Sequence, residues 1–229
     1  MKVLVLIPLA ASLATADPKA KMQAPHAKSG FDLTADPTSR AWKKIKPIDG
    51  AVDPFGKPAA SNSFQFRAQW TDGFLYFLFT CPYDKLTLKP NPSQTEETNK
   101  LWEWDAMEVF IGADFDNITH YRELQVSPQG EWVDLDIDRK NPKPEGGWRW
   151  NSGMQVKARI DEGSKTWHGE MKVPFASIGG PRPKVGGEYR INVYRLAGAA
   201  PNRIQVMWTP TMVRSHHTPE QFGRLVLAK

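Results

Sequence analysis

The chain has 229 residues, a formal net charge of +5, nine tryptophans and one cysteine. That length suits one all-β domain better than two small ones, and a lone thiol excludes an internal disulfide, so the fold must rest on a hydrophobic core. The positive charge is spread along the chain with no Lys/Arg stripe, zinc-ligand spacing or basic helix, which argues against nucleic acid as a partner.

Lys2 is followed by an apolar run over 3–13 and then Ala14-Thr15-Ala16, a small-x-small site before Asp17. This pattern predicts a secretory signal peptide over 1–16, cleaved after Ala16, and a secreted or periplasmic mature chain. The run is too short to span a bilayer and no later one is longer, so no membrane insertion is expected. Residues 17–30, with Lys19, Lys21, Pro25, His26 and Lys28 and few large apolar side chains, read as a disordered leader.

From 31 to 229 strand follows strand. Residues 64–70 place Phe64, Phe66, Ala68 and Trp70 on one face, Thr71-Asp72-Gly73 turns the chain, and 74–81 is apolar on both faces, as in a central strand. After a Pro/Asn/Ser/Glu-rich loop over 82–100, strands are predicted at 107–111, 120–126 and 132–137. A second loop over 138–153 precedes strands at 154–160, 166–173, 188–196, 204–208 and 224–227, with a short helix near 174–178. Ten or so short strands with close turn signals predict an antiparallel β-sandwich or jelly roll. Nine tryptophans exceed the needs of such a core, so several should be partly exposed.

The most informative stretch is Trp102-Glu103-Trp104-Asp105-Ala106-Met107-Glu108-Val109-Phe110-Ile111, an aromatic, acidic loop running into an alternating strand. Alternation sends Met107, Val109 and Ile111 into a core and Glu108 and Phe110 to the other face. A carboxylate beside indoles suits a sugar, whose C–H face packs on an aromatic ring while its hydroxyls seek charged acceptors. The same pattern also fits core tryptophans ahead of a buried strand. By parity, Tyr121, Glu123 and Gln125 oppose the core-facing Leu124 and Val126. Arg190, Asn192 and Tyr194 likewise oppose Tyr189, Ile191 and Val193, and Val133, Leu135 and Ile137 are expected to point inward. If these strands are neighbours, Glu108, Gln125 and Asn192 line one sheet face, either a polyol site or an ordinary solvated surface.

The stretch resembles the W-E-x-D-x-V/M-E-I/V-F-I signature of the family 9 carbohydrate-binding modules, found attached to xylanases and as free-standing proteins. Weaker segments follow in the right order over 31–229: Trp42 near Ile48-Asp49-Gly50, Gly73-Phe74-Leu75-Tyr76, Tyr121-Arg122-Glu123-Leu124-Gln125-Val126, Trp167-His168-Gly169-Glu170 and Phe222-Gly223-Arg224-Leu225. The resemblance implies a DOMON-like β-sandwich in which two aromatic side chains clasp a terminal sugar. It further implies non-catalytic binding of xylan- or cellulose-derived ends, no required cofactor, and a role in carbohydrate catabolism beside separate glycoside hydrolases. Trp102 matches the first aromatic of the clasp and Glu108 the acceptor carboxylate. Gln125 stands where the xylanase modules carry an arginine and Asn192 where they carry a glutamine. The second clasp tryptophan has no counterpart; Arg214-Ser215-His216-His217-Thr218-Pro219 occupies that loop, which makes His216 and His217 rim candidates.

Three further readings concern chemistry. Asp114, Asp116 and Asn117 form an oxygen-rich loop of the kind calcium favours, without the EF-hand glycine and glutamate at their offsets, and the family resemblance adds weight to a structural calcium there. Relatives in the same superfamily hold a b-type haem between a Met and a His or Lys, for which Met107, Met212 and His216 are the candidates. Glycoside hydrolysis would need a carboxylate pair such as Glu108 with Asp105 or Asp134, and no G-x-S-x-G nucleophile motif is present.

Overall fold

A computed structural model describes residues 20–59 and 62–229 of the chain; the expected signal peptide lies outside them. Among the described residues the strands are, in chain order, β1 (Lys21–Ala24), β2 (Ile48–Gly50), β3 (Phe64–Trp70), β4 (Phe74–Pro82), β5 (Ala106–Gly112), β6 (His120–Val126), β7 (Trp132–Asp138), β8 (Gln155–Asp161), β9 (Thr166–Pro174), β10 (Glu188–Ala197), β11 (Ile204–Met207) and β12 (Gly223–Leu227). One sheet has the order β1-β12-β10-β5-β6-β7, with β11 added to β10; the other has the order β2-β3-β4-β9-β8. Every strand pair is antiparallel except β1 with β12. The expected all-β sandwich is thus the fold, with a single short helix, α1 (Phe175–Ile178), after β9.

Alternation builds the core between the sheets. Phe64, Phe66, Ala68 and Trp70 of β3 and Leu75, Phe77, Phe79 and Cys81 of β4 meet Met107, Val109 and Ile111 of β5, Leu124 and Val126 of β6, and Tyr189, Ile191 and Val193 of β10. Cys81 is fully buried, and burial pushes its thiol up to about 12, so it behaves as a small apolar side chain. The second apolar face of β4 is explained by what covers it. Tyr76 and Leu78 pack beneath Phe31, Leu33, Ala41, Trp42 and Ile45, and the buried Glu170 of β9 ties this cover down. Glu170 accepts the Trp42 indole N–H at 2.6 Å and the backbone N–H groups of Thr34 and Ala35 at 2.7 Å each.

Two expectations are corrected here. Residues 17–30 were expected as a disordered leader, but Lys21–Ala24 forms β1, paired in parallel with β12. The segment is a short amphipathic edge strand: Met22 and Ala24 are buried while Lys21 and Gln23 face water, so two small apolar contacts and a ladder suffice to order it. Secondly, Val133, Leu135 and Ile137 do not enter the inter-sheet core. Register pairs Val133 with Gln125 and Leu135 with Glu123, which places all three on the outer face. There Val133 and Leu135 pack with Leu101, Trp102 and Trp148, while Trp132 turns toward the inter-sheet core. An apolar strand face is buried against whatever covers it, and here the cover is a pair of loops. The second loop approaches at Gly147, whose φ is +87° and where any Cβ would collide with the Asp136 carbonyl oxygen.

Of the nine tryptophans, Trp42, Trp70 and Trp167 are buried and the remaining six are half-buried, in line with the expected surplus.

Candidate functional site

The outer face of β5, β6 and β10 floors a cavity of about 500 Å³. Alternation aims Glu108 and Phe110 of β5 into it, and register brings Glu123 of β6 alongside Phe110. Leu135 and Ile137 of β7 extend the floor, and Trp102, on a 3-10 turn over Leu101–Glu103, supplies an indole. That turn is anchored by the fully buried Leu101, which leaves Trp102 half-buried at the cavity wall. The segment after β11 closes another side with Arg214, Ser215, His216 and His217, and Arg203 enters from the β10–β11 connection.

The polar floor is a continuous hydrogen-bonded chain. Gln125 Nε2 donates to Glu108 Oε1 at 2.8 Å and to Glu123 Oε1 at 2.6 Å. Glu108 Oε2 lies 2.8 Å from His216 Nδ1. A carboxylate can only accept, so Nδ1 carries the proton and Nε2 is left available. His216 is buried, its ring stacks on Tyr194 at 4.4 Å with a 6° interplanar angle, and Tyr194 Oη donates to its carbonyl. With the ring so held, His216 Nε2 is buried and has no hydrogen-bond partner of its own. His217 is more open; its Nδ1 lies 2.7 Å from Tyr121 Oη and its ring is tilted over Phe110 at 5.1 Å.

Burial, reinforced by the nearby Glu108 carboxylate, pushes the Glu123 carboxyl well above its usual range, so Glu123 keeps its proton to higher pH than a free glutamate. The floor thus brings two carboxyl groups and an imidazole together within one cavity. Burial also lowers His217 below its ordinary value. The unfolded chain therefore takes up this proton first as pH falls, so the contribution of neutral His217 to stability is intact above about 6.5 and is lost below it. The difference in Tm between the wild type and His217→Gln should shift against the wild type as pH falls from 7.5 to 5. A difference that stays constant over that range would contradict this placement of His217.

The structure thus gathers Trp102, Glu108, His216 and His217 around one cavity. Gln125 is fully buried beneath the floor and bridges the two acids. Asn192 is corrected: it shares the face, opposite Phe110, but its side chain is consumed. Its Oδ1 accepts from the Val193 and Thr209 N–H groups and its Nδ2 donates to the Thr209 carbonyl, pinning the segment after β11 to β10. His216 is a buried polar contact, not the flat second wall that its loop position suggested. Sequence reasoning passed over Glu123, although the same parity that selected Gln125 placed it on this face. It also passed over Arg203, which no local pattern distinguishes from a loop arginine.

The other candidate centres are not assembled. Met107 lies in the inter-sheet core, facing away from Glu108, and Met212 is exposed on a loop, so the haem pair is not brought together. Asp114 Oδ1 accepts the backbone N–H groups of Asp116 and Asn117, and Asn117 Oδ1 accepts from Thr119, so these oxygens serve the turn. No group of three metal-ligating side chains converges among the described residues. Asp105 accepts from the Gly198 N–H, and Asp134 binds Ser152 on the far side of the sheet, so neither forms a pair with Glu108 across the cavity.

A two-sheet sandwich with a sheet-floored pocket, an indole wall and buried, pre-oriented polar groups defines a small-ligand-binding module. The chain belongs to the carbohydrate family 9 binding domain-like family, which matches residues 36–229, and carbohydrate binding is that family's function. Similar solved structures are a protein from Bacteroides uniformis ATCC 8492 thought to bind carbohydrate and a family 9 carbohydrate-binding module from Caldicellulosiruptor kristjanssonii. The first is 13% identical with a TM-score of 0.71, covering 92% of this chain and all of that one. The second was solved with cellotriose at 13% identity and a TM-score of 0.64, covering 91% of this chain and 94% of that one. Its complex with glucose is 12% identical with a TM-score of 0.64, covering 92% and 97%. At such identities the likeness speaks for the fold. No curated protein matches the chain in sequence.

Proposed function

We propose that the cavity binds the end of a plant-type oligosaccharide, xylan- or cellulose-derived, without transforming it. The observation that carries this reading is the buried Glu108–His216 pair, which lines the same cavity as the half-buried Trp102. Trp102 stacks on the apolar face of a sugar ring, while the Glu108–His216 pair and the Glu123 carboxyl take its hydroxyls. The complexes of the Caldicellulosiruptor kristjanssonii module with cellotriose and glucose support a gluco-configured ligand. Hydrolysis is disfavoured by the floor itself. Glu108 and Glu123 are the two acids in the cavity, yet they sit side by side on its floor, tied to the same buried Gln125 nitrogen, and do not flank it from opposite sides as a hydrolytic pair would. We further place the mature chain in the periplasm or outside the cell, where it retains fragments for separate glycoside hydrolases.

The test is calorimetric titration of cellotriose and xylotriose into the wild type and Trp102→Ala. The substitution is expected to weaken binding by about 1–3 kcal/mol, roughly 5- to 150-fold, while the thermal melt stays cooperative. If Trp102→Ala unfolds the protein, the indole belongs to the core formed by Leu101, Val133 and Leu135 and not to a sugar clasp.

A further inference from the structure

The sugar site described above leaves two cations without a task. Arg203 and Arg214 both line the cavity. Among the described residues neither guanidinium lies within ion-pair distance of a carboxylate, and Arg203 Nε is buried with no hydrogen-bond partner. On the same sheet Arg195 also has unpartnered nitrogens but is fully buried and does not line the cavity, whereas two other arginines are engaged. Arg190 donates to the carbonyls of Asp114 and Ile118, and Arg122 is paired with Asp136 and bonded to the Ser177 carbonyl. Glu108, Asp105 and Glu103 are near enough to favour the Arg203 charge, yet none is in ion-pair contact with it. Glu108 is engaged by Gln125 and His216, and Glu123 by Gln125.

A guanidinium offers a planar fork of donors that matches a carboxylate with two parallel hydrogen bonds, and such a contact gains strength where water is partly excluded. Arg203 is half-buried and Arg214 exposed at the cavity mouth; leaving the desolvated Arg203 donor unpaired is unfavourable, and an anionic group in the cavity relieves it. Resting on the sugar-binding reading, we infer that the preferred ligand is an acidic sugar, a uronic acid residue, whose carboxylate is received by Arg203 and Arg214 while its ring packs on Trp102.

The matched probes are methyl β-D-glucuronide and methyl β-D-glucoside, which differ only at C6, titrated calorimetrically into the full mature chain at low ionic strength. The glucuronide is expected to bind at least about tenfold more tightly, and added salt should shrink that ratio because the extra contact is ionic. In Arg203→Gln the ratio should fall to within about twofold, and Arg214→Gln should lower it in the same direction, with thermal melts confirming a folded chain. Equal binding of the two glycosides, or a preference that survives in the Arg203→Gln, Arg214→Gln double variant, overturns the inference and leaves the sugar-binding reading standing. Tighter binding of glucose 6-phosphate than of the glucuronide overturns the assignment to a carboxylate. Failure of both glycosides to bind the wild type overturns the sugar-binding reading and this inference with it.

Discussion

Glu108→Ala is expected to remove most of the affinity for cellotriose, by about 2–4 kcal/mol or roughly 30- to 1000-fold, in a protein that still folds. The size follows from what the carboxylate does. It accepts the Gln125 amide on one oxygen and the His216 ring on the other, so its loss leaves one buried donor unpaired on each of two partners. His216 then has no reason to keep Nδ1 protonated. Glu108→Gln should be intermediate, because an amide can accept from only one of the two donors and presents N–H to the other. Calorimetry of the three proteins orders them; equal affinities in all three would mean that the sugar does not use this floor.

The largest expected effect on stability is remote from the cavity. Glu170→Ala should cost about 3–5 kcal/mol, since it orphans the Trp42 indole N–H and two backbone N–H groups in a buried region. The cover over β4 would then be held by the packing of Phe31, Leu33, Ala41, Trp42 and Ile45 and by side-chain bonds from Arg67, Gln69 and Arg159 to its carbonyls. For a domain of this size that corresponds to a fall in Tm of about 10 °C by calorimetry or circular dichroism. A change of only a degree or two would show that the segment over 31–45 is held without the carboxylate.

How far the sequence could be read depends on the range of the interaction involved. Strands β3, β4, β5, β6 and β10 were legible because their alternation is local and their apolar face meets the inter-sheet core. The same rule misassigned β7, where Val133 and Leu135 are buried by loop residues far from them in sequence, and alternation does not say which layer does the burying. The ordering of β1 was likewise hidden, because its partner β12 lies at the other end of the chain. In the site, Trp102 and Glu108 were found by residue type and by resemblance, and His216 and His217 by the loop they occupy. What could not be read was hydrogen bonding: Asn192 is spent on Thr209 and Val193, and Gln125 joins two acids beneath the floor. Glu123 was legible from parity but not distinguished, since its significance comes from burial beside Glu108.

The central claim is that this one cavity on the outer face of the larger sheet is where carbohydrate binds. A crystal structure of the protein soaked or grown with cellotriose tests it most directly. The account predicts a terminal glucose ring stacked on Trp102, with one hydroxyl at the Glu108–His216 pair and another at the Glu123 carboxyl. A sugar bound on any other face, or seated in the cavity without contact to Trp102 and His216, would contradict it.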